Sequence, residues 1–269
     1  MDALAQIDGW QVDHKAAGVV SGDASWAHGP VDRVFRLASV TKLFTAVAVL
    51  VAAEEGILDL DEPAGPPGST VRHLLGHASG LPFEGTRPIS EPGRRRIYSN
   101  TGIEQVAAFL AERAEMRFEE YLSAAILEPL GLAGTSLAEG SPAAGLYGPL
   151  EDLLVFAREL MGPTLVAAET LDEATSVSFP GLVGVLPDFG RYEPLDWGLG
   201  FEIRDAKSPH WTGERNSPST FGHFGGSGTF LWVDPEAGAA CACLTDRGFG
   251  QWAKDAWPPF SDAVLAELR

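Results

Sequence analysis

The sequence predicts an α+β fold: an antiparallel sheet drawn from both chain ends and flanked by terminal helices, with an all-helical insert between them. Three observations predict it. Strand-like apolar runs occur near the start and again after Trp197. The residues between them follow helical spacing in segments broken by Pro and Gly. The chain then closes on one more helical segment, and no internal repeat divides it.

Residues 1–8 suit a short helix. Residues 16–20 and 25–28 read as two strands around a Gly22-Asp23 turn, and residues 34–37 lead into the most apolar stretch of the chain. That stretch, 40–53, contains Ala, Leu and Phe without Gly or Pro, and it is apolar on every face. It therefore predicts a central, buried helix, stopped by Gly56. After a loop over 59–68, Ser69 and Thr70 cap a short helix over 71–76. Residues 83–97 form a loop in which Arg94-Arg95-Arg96 reads as solvated surface. Helices follow at 101–114, capped by Asn100 or Thr101, and at 118–127, 150–161 and 166–175. Residues 176–194 read as a Gly/Pro-rich loop. Residues 197–204, 230–233 and 239–244 read as strands, and Pro258-Pro259 precede a terminal helix that runs to Arg269. The expected division is a sheet unit of 1–37 with 195–269, a helical unit of 38–194, and a site at their seam.

With 269 residues, 45% hydrophobic and 21% charged, the chain is long enough for one large domain or two closely packed ones. A net charge of −18 argues against nucleic acid and anionic membrane surfaces as partners. The first residues carry no basic segment followed by an apolar one, so a cytoplasmic location is expected. Residues 40–53 are too short a run to span a bilayer. Cys241 and Cys243 lie two apart on a strand, a poor geometry for bridging each other, and read as small core residues. His73 and His77 are four apart, but no third ligand accompanies them, so no metal is expected there; no organic cofactor is expected either.

The chemistry concentrates in three places. Ser39 and Lys42 share one face at the start of the buried helix, so a hydroxyl and an amine meet there. With 17 serines and 4 lysines, chance supplies about 0.25 such pairs in a chain this long. A buried amine, however, needs a reason. Tyr98-Ser99-Asn100 places a phenol and an amide where a loop enters a helix. The Gly-dense run Phe221-Gly222-His223-Phe224-Gly225-Gly226 precedes a strand, as backbone does where something approaches it closely.

In that order, Ser39-x-x-Lys42, Tyr98-x-Asn100 and His223-x-Gly225 resemble the three motifs of the penicillin-recognising serine hydrolases. Tyr in the second motif and His in the third are similar to the branch of class C β-lactamases, DD-peptidases and family VIII carboxylesterases. The flanking residues 35–42, 73–81, 98–102 and 197–200 resemble that branch as well. The resemblance implies a β-lactamase/transpeptidase-like fold and an acyl-enzyme on Ser39. It implies Tyr98 as base and leaving-group acid, with Lys42 as its proton partner. Asn100 would orient Lys42 and the substrate, His223, Gly225 and Gly226 would line the substrate side, and the N–H groups of Ser39 and Gly226 would form the oxyanion hole.

Two departures bear on the substrate. His223 stands where β-lactamases usually have Lys, and a mostly neutral imidazole holds a carboxylate less firmly. Phe224 brings apolar bulk where a small hydroxyl residue is common. These points favour a cytoplasmic carboxylesterase on small acyl esters or amides. A β-lactamase or DD-peptidase is the alternative enzyme, and a catalytically silent ligand-binding or sensor protein on the same fold is the alternative outside enzymes.

Overall fold

A computed structural model of the protein describes residues 1–138 and 140–268. A 3-10 helix (Asp2–Gly9) leads into a hairpin of β1 (Lys15–Ser21) and β2 (Ala24–His28). A short β3 (Phe35–Arg36) precedes a 3-10 turn at Ala38–Val40 and the long α1 (Thr41–Glu54). The middle of the chain holds α2 (Val71–Leu75), β4 (Arg96–Ile97), α3 (Asn100–Arg113) and α4 (Phe118–Leu122), which continues as a π-helical turn over Ser123–Leu127. Next come β5 (Ser136–Leu137), β6 (Leu146–Gly148), α5 (Leu150–Met161), α6 (Ala168–Ala174), β7 (Gly184–Leu186) and β8 (Gly190–Tyr192). The chain ends with β9 (Glu202–Ile203), β10 (Phe221–Gly225), β11 (Thr229–Asp234), β12 (Ala239–Thr245) and α7 (Gln251–Leu268).

Both chain ends build one six-stranded antiparallel sheet in the order β2-β1-β12-β11-β10-β9. Alternation along its strands sorts side chains onto two buried faces. Ala16, Val20, Leu231, Ala240 and Ala242 join the core that contains α1 and α5. Ala17, Val19, Trp232, Cys241 and Cys243 join a second core under α7 and the N-terminal 3-10 helix. A sheet covered on both faces explains why β11 and β12 are apolar at nearly every position. It also explains why Cys241 and Cys243 are buried and unbridged.

α1 is the centre of the molecule, with every residue from Thr41 through Ala52 buried. Gly56 ends it in a left-handed conformation, φ 72°. Two small sheets, β3-β6-β5 and β4-β7-β8, flank the site described below.

Several expectations change. The insert is not all-helical, since β4 to β8 lie within 38–194, and the run 176–194 folds into the β7–β8 hairpin, whose β7 pairs in parallel with β4. The Gly-dense run 221–225 is itself a strand, β10, whereas 197–204 contributes only the two residues of β9. α3 is capped by Ser99, whose Oγ accepts from Gly102 N at 2.9 Å, not by Asn100 or Thr101. α7 begins seven residues before Pro258 and carries both prolines inside it. Burial of Ala253, Trp257, Phe260, Val264 and Leu265 against the sheet sustains a helix that has lost two backbone donors. Arg269 lies outside the described residues.

Arg96 is the largest departure. It was expected on the surface with Arg94 and Arg95, yet it is buried. Its Nε donates to Leu195 O at 3.1 Å, and its terminal nitrogens donate to Gly76 O, Ser178 O and Phe179 O. One planar guanidinium thus ties three separate loops to β4.

Candidate active site

Ser39 sits in the 3-10 turn that starts α1, half-exposed between two buried neighbours. The preceding Ala38 has φ 47°, a conformation unfavourable for a residue with a Cβ and frequent where a site must be held in place. The third motif is tied to this turn. Ser227 Oγ donates to Arg36 O at 2.7 Å, and Thr229 Oγ1 donates to Leu37 O at 2.9 Å. β10 therefore passes so close that a Cβ on Gly225 would lie 2.4 Å from Leu37 O, which only glycine avoids.

Lys42 is fully buried, and its Nζ reaches Ser39 Oγ at 3.2 Å, Asn100 Oδ1 at 2.7 Å and Ala143 O at 2.8 Å. The Asn100 amide oxygen and the Ala143 carbonyl oxygen can only accept, so they take two N–H bonds. In the neutral amine, the remaining lone pair is then left for the Ser39 hydroxyl. Burial pushes Lys42 down to about 7, against the opposing pull of Glu104.

Tyr98 leaves β4 and is hydrogen-bonded to Ser39. Its ring lies 4.9 Å from Lys42 Nζ and among the rings of His77 at 4.8 Å, His223 at 5.6 Å, Trp197 at 5.8 Å and Phe83 at 5.8 Å. Burial pushes its phenol well above the usual range; the Ser39 hydrogen bond offsets this only in part, and Glu202 adds to it. The protonated phenol is therefore favoured, because desolvation outweighs the Ser39 hydrogen bond.

His223, on β10, is buried and neutral, since burial and Lys42 push it down to about 3. Its Nδ1 lies 2.6 Å from Phe224 O, and a carbonyl can only accept, so the proton is on Nδ1. Nε2 is then a bare acceptor, and it has no hydrogen-bond partner among the described residues. The Phe224 ring packs 4.7 Å from Phe249 in the second core. Ser39, Tyr98, His223 and Gly226 border one cavity of about 160 Å³. The structure thus brings Ser39, Lys42, Tyr98, Asn100, His223, Gly225 and Gly226 together across β10 and the starts of α1 and α3.

His73 and His77 do not share a helix face. His73 lies 2.9 Å from Thr70 Oγ1, while His77 turns inward at φ 53° and its Nδ1 accepts from Ser99 N at 3.3 Å. Sequence reasoning missed Glu202, which borders the same cavity. Its carboxylate lies 2.9 Å from His210 Nε2 and 3.2 Å from Lys207 Nζ, and it accepts from Trp211 Nε1. An acid inside the apolar run Leu199-Gly200-Phe201-Glu202-Ile203 was the available signal.

Burial raises the Glu202 carboxyl, but His210, Lys207 and the hydrogen bonds overcome that and hold it at about 2. A depressed carboxyl stabilises the fold above its ordinary 4.5 and loses that contribution as pH falls towards 2. Glu202→Gln is expected to cost about 3 kcal/mol at pH 7 and to flatten the acid limb. Urea unfolding of both proteins at pH 7 and pH 3 checks this, and equal midpoints at pH 7 would refute it.

The Beta-lactamase family profile matches residues 3–263. A crystal structure of a beta-lactamase from Mycobacterium bovis is 51% identical, covers 99% of both chains and superposes with a TM-score of 0.98. Penicillin-binding protein 4* of Bacillus subtilis is 30% identical over 38% of this chain, a match that spans 30% of that protein's length. The structure of EstCE1, a hydrolase with promiscuous acyltransferase activity, shares the fold at 18% identity, with a TM-score of 0.78 over 98% of this chain and 96% of its own.

Proposed function

The chain belongs to the beta-lactamase family and is a serine hydrolase; from that premise we propose that it hydrolyses short acyl esters or small amides through an acyl-enzyme on Ser39. In this reading the site lies at the seam between a sheet unit, 1–37 with 195–269, and a mainly helical unit, 38–194, that also carries β4 to β8. Ser39 Oγ gives its proton to neutral Lys42 and bonds to the substrate carbonyl carbon. The oxyanion is held by the N–H groups of Ser39 and Gly226. As the bond to the leaving oxygen or nitrogen breaks, Tyr98 donates its proton to that atom and is reprotonated from Lys42. A water then attacks the acyl carbon, releases the acid and restores the Ser39 hydroxyl.

One observation carries the substrate class: His223 offers a bare Nε2 acceptor and no charge. A carboxylate beside the scissile bond, as in penicillins and D-Ala-D-Ala termini, would meet a lone pair there in place of a cation. The cavity of about 160 Å³ supports a small acyl group, being close to one that holds benzene at about 150 Å³. The identity with the Mycobacterium bovis beta-lactamase favours β-lactam hydrolysis as a second reading.

Ser39→Ala is expected to lower p-nitrophenyl butyrate hydrolysis by on the order of 10,000-fold. An active-serine phosphonate should label Ser39 in the wild type. Equal rates in both proteins would overturn the assignment, and an absent adduct would favour a silent binding protein. Faster turnover of nitrocefin than of the esters would replace the ester reading.

A further inference from the structure

A second cavity, of about 620 Å³, adjoins that of Ser39, and Phe83, Tyr98 and Pro187 wall both. Its floor is apolar, with Val183 and Val185 beside Phe83. Phe83 and Val185 are among the exposed large hydrophobic residues of the molecule. Its rim is cationic, with Arg94 and Arg95 on one side and Arg191 of β8 on the other. Arg94 faces Glu91 at 3.5 Å and Arg191 faces Glu193 at 3.1 Å, whereas Arg95 has no ion-pair or hydrogen-bond partner among the described residues. The chain carries 37 acidic and 19 basic side chains, so this grouping runs against the charge of the molecule as a whole. A local cationic hollow on an acidic protein concentrates anions where the overall field repels them.

We propose that this hollow is the leaving-group subsite and that it selects an alcohol or amine bearing a distal anionic oxygen group, a carboxylate or a phosphate. The reading rests on the assignment of Ser39 as nucleophile. The chemistry fits on both sides of Tyr98. The small inner cavity takes the acyl chain. Tyr98 protonates the leaving atom, so the departing group lies against the wall that the two cavities share. An apolar spacer rests on Phe83 and Val185, and its terminal anion meets the planar fork of Arg95, reinforced by Arg94 and Arg191. His223 offers no charge beside the carbonyl, so the substrate's negative charge is read on the far side of Tyr98.

The test uses butyrate esters of three phenols of similar leaving-group strength: 3-(4-hydroxyphenyl)propanamide, 3-(4-hydroxyphenyl)propanoate and 4-hydroxyphenethyl phosphate. In the wild type, kcat/KM for at least one anionic ester should exceed that for the neutral one by about 10-fold at low salt, mainly through KM. Arg95→Ala should reduce that ratio about 5-fold, as for one solvent-screened ion pair, and Arg95→Lys should recover part of it. Sodium chloride at about 0.5 M should drive the ratio towards one. The anion with the larger gain identifies the source, carboxylate or phosphate. No anionic preference, or a ratio unaltered in both Arg95→Ala and Arg94→Ala/Arg95→Ala, overturns the subsite. If Ser39→Ala cleaves the neutral ester as fast as wild type, the nucleophile assignment fails instead, and the ratio separates the two failures.

Discussion

Replacing Lys42 by methionine is expected to lower kcat/KM for a butyrate ester by about 1,000-fold, the range of a positioned general base. The side chain is of similar length, so α1 keeps its packing while the lone pair facing Ser39 is lost. The wild-type rate should rise with pH through a limb centred near 7, because Lys42 must shed its proton to act and burial brings it to about 7. The variant's residual rate should lack that limb. Stability provides an independent check. The unfolded chain protonates this lysine below its ordinary 10.5, but the folded chain does so only below about 7. Lys42 therefore makes the fold progressively less stable as pH falls from 10.5 to 7. Thermal melts of Lys42→Met should depend less on pH across that window. Wild-type rates or a retained limb would remove Lys42 as the base.

Arg96→Ala is expected to lose on the order of 4 kcal/mol, since it strips the donors from four carbonyls and opens a void in the interior. In a chain of 269 residues that corresponds to a fall in Tm of roughly 10 °C. Arg96→Lys should recover less than half, because a single ammonium cannot reach Gly76, Ser178–Phe179 and Leu195 together. Alanine variants of the exposed Arg94 and Arg95 should melt with the wild type. Calorimetry of the three alanine variants decides, and equal melting of Arg96→Ala and Arg95→Ala would refute the role given to Arg96.

Much of this protein was legible in the chain alone. The apolar run of α1 is a local property, so its burial and the shared face of Ser39 and Lys42 followed from helical spacing. The strands at the two ends and the helices of the middle followed from periodicity, the short strands β4 to β8 did not, and the three motifs were legible from residue identity and order. Arg96 was not legible, because nothing in Arg94-Arg95-Arg96 distinguishes the member that turns inward. β10 was hidden because glycine is a poor strand former, and its place depends on Leu37 lying against Gly225.

By itself, the sequence determined which groups with chemistry exist and the local geometry that i, i+3 spacing imposes. Only the tertiary structure decided their protonation and partners. Lys42 meets Asn100 across 58 residues and Ala143 across 101, and such contacts set how much water each group loses. Desolvation is a property of the assembled surroundings. It lowers Lys42 and raises Tyr98, which supports the amine rather than the phenol as the base in the mechanism we propose.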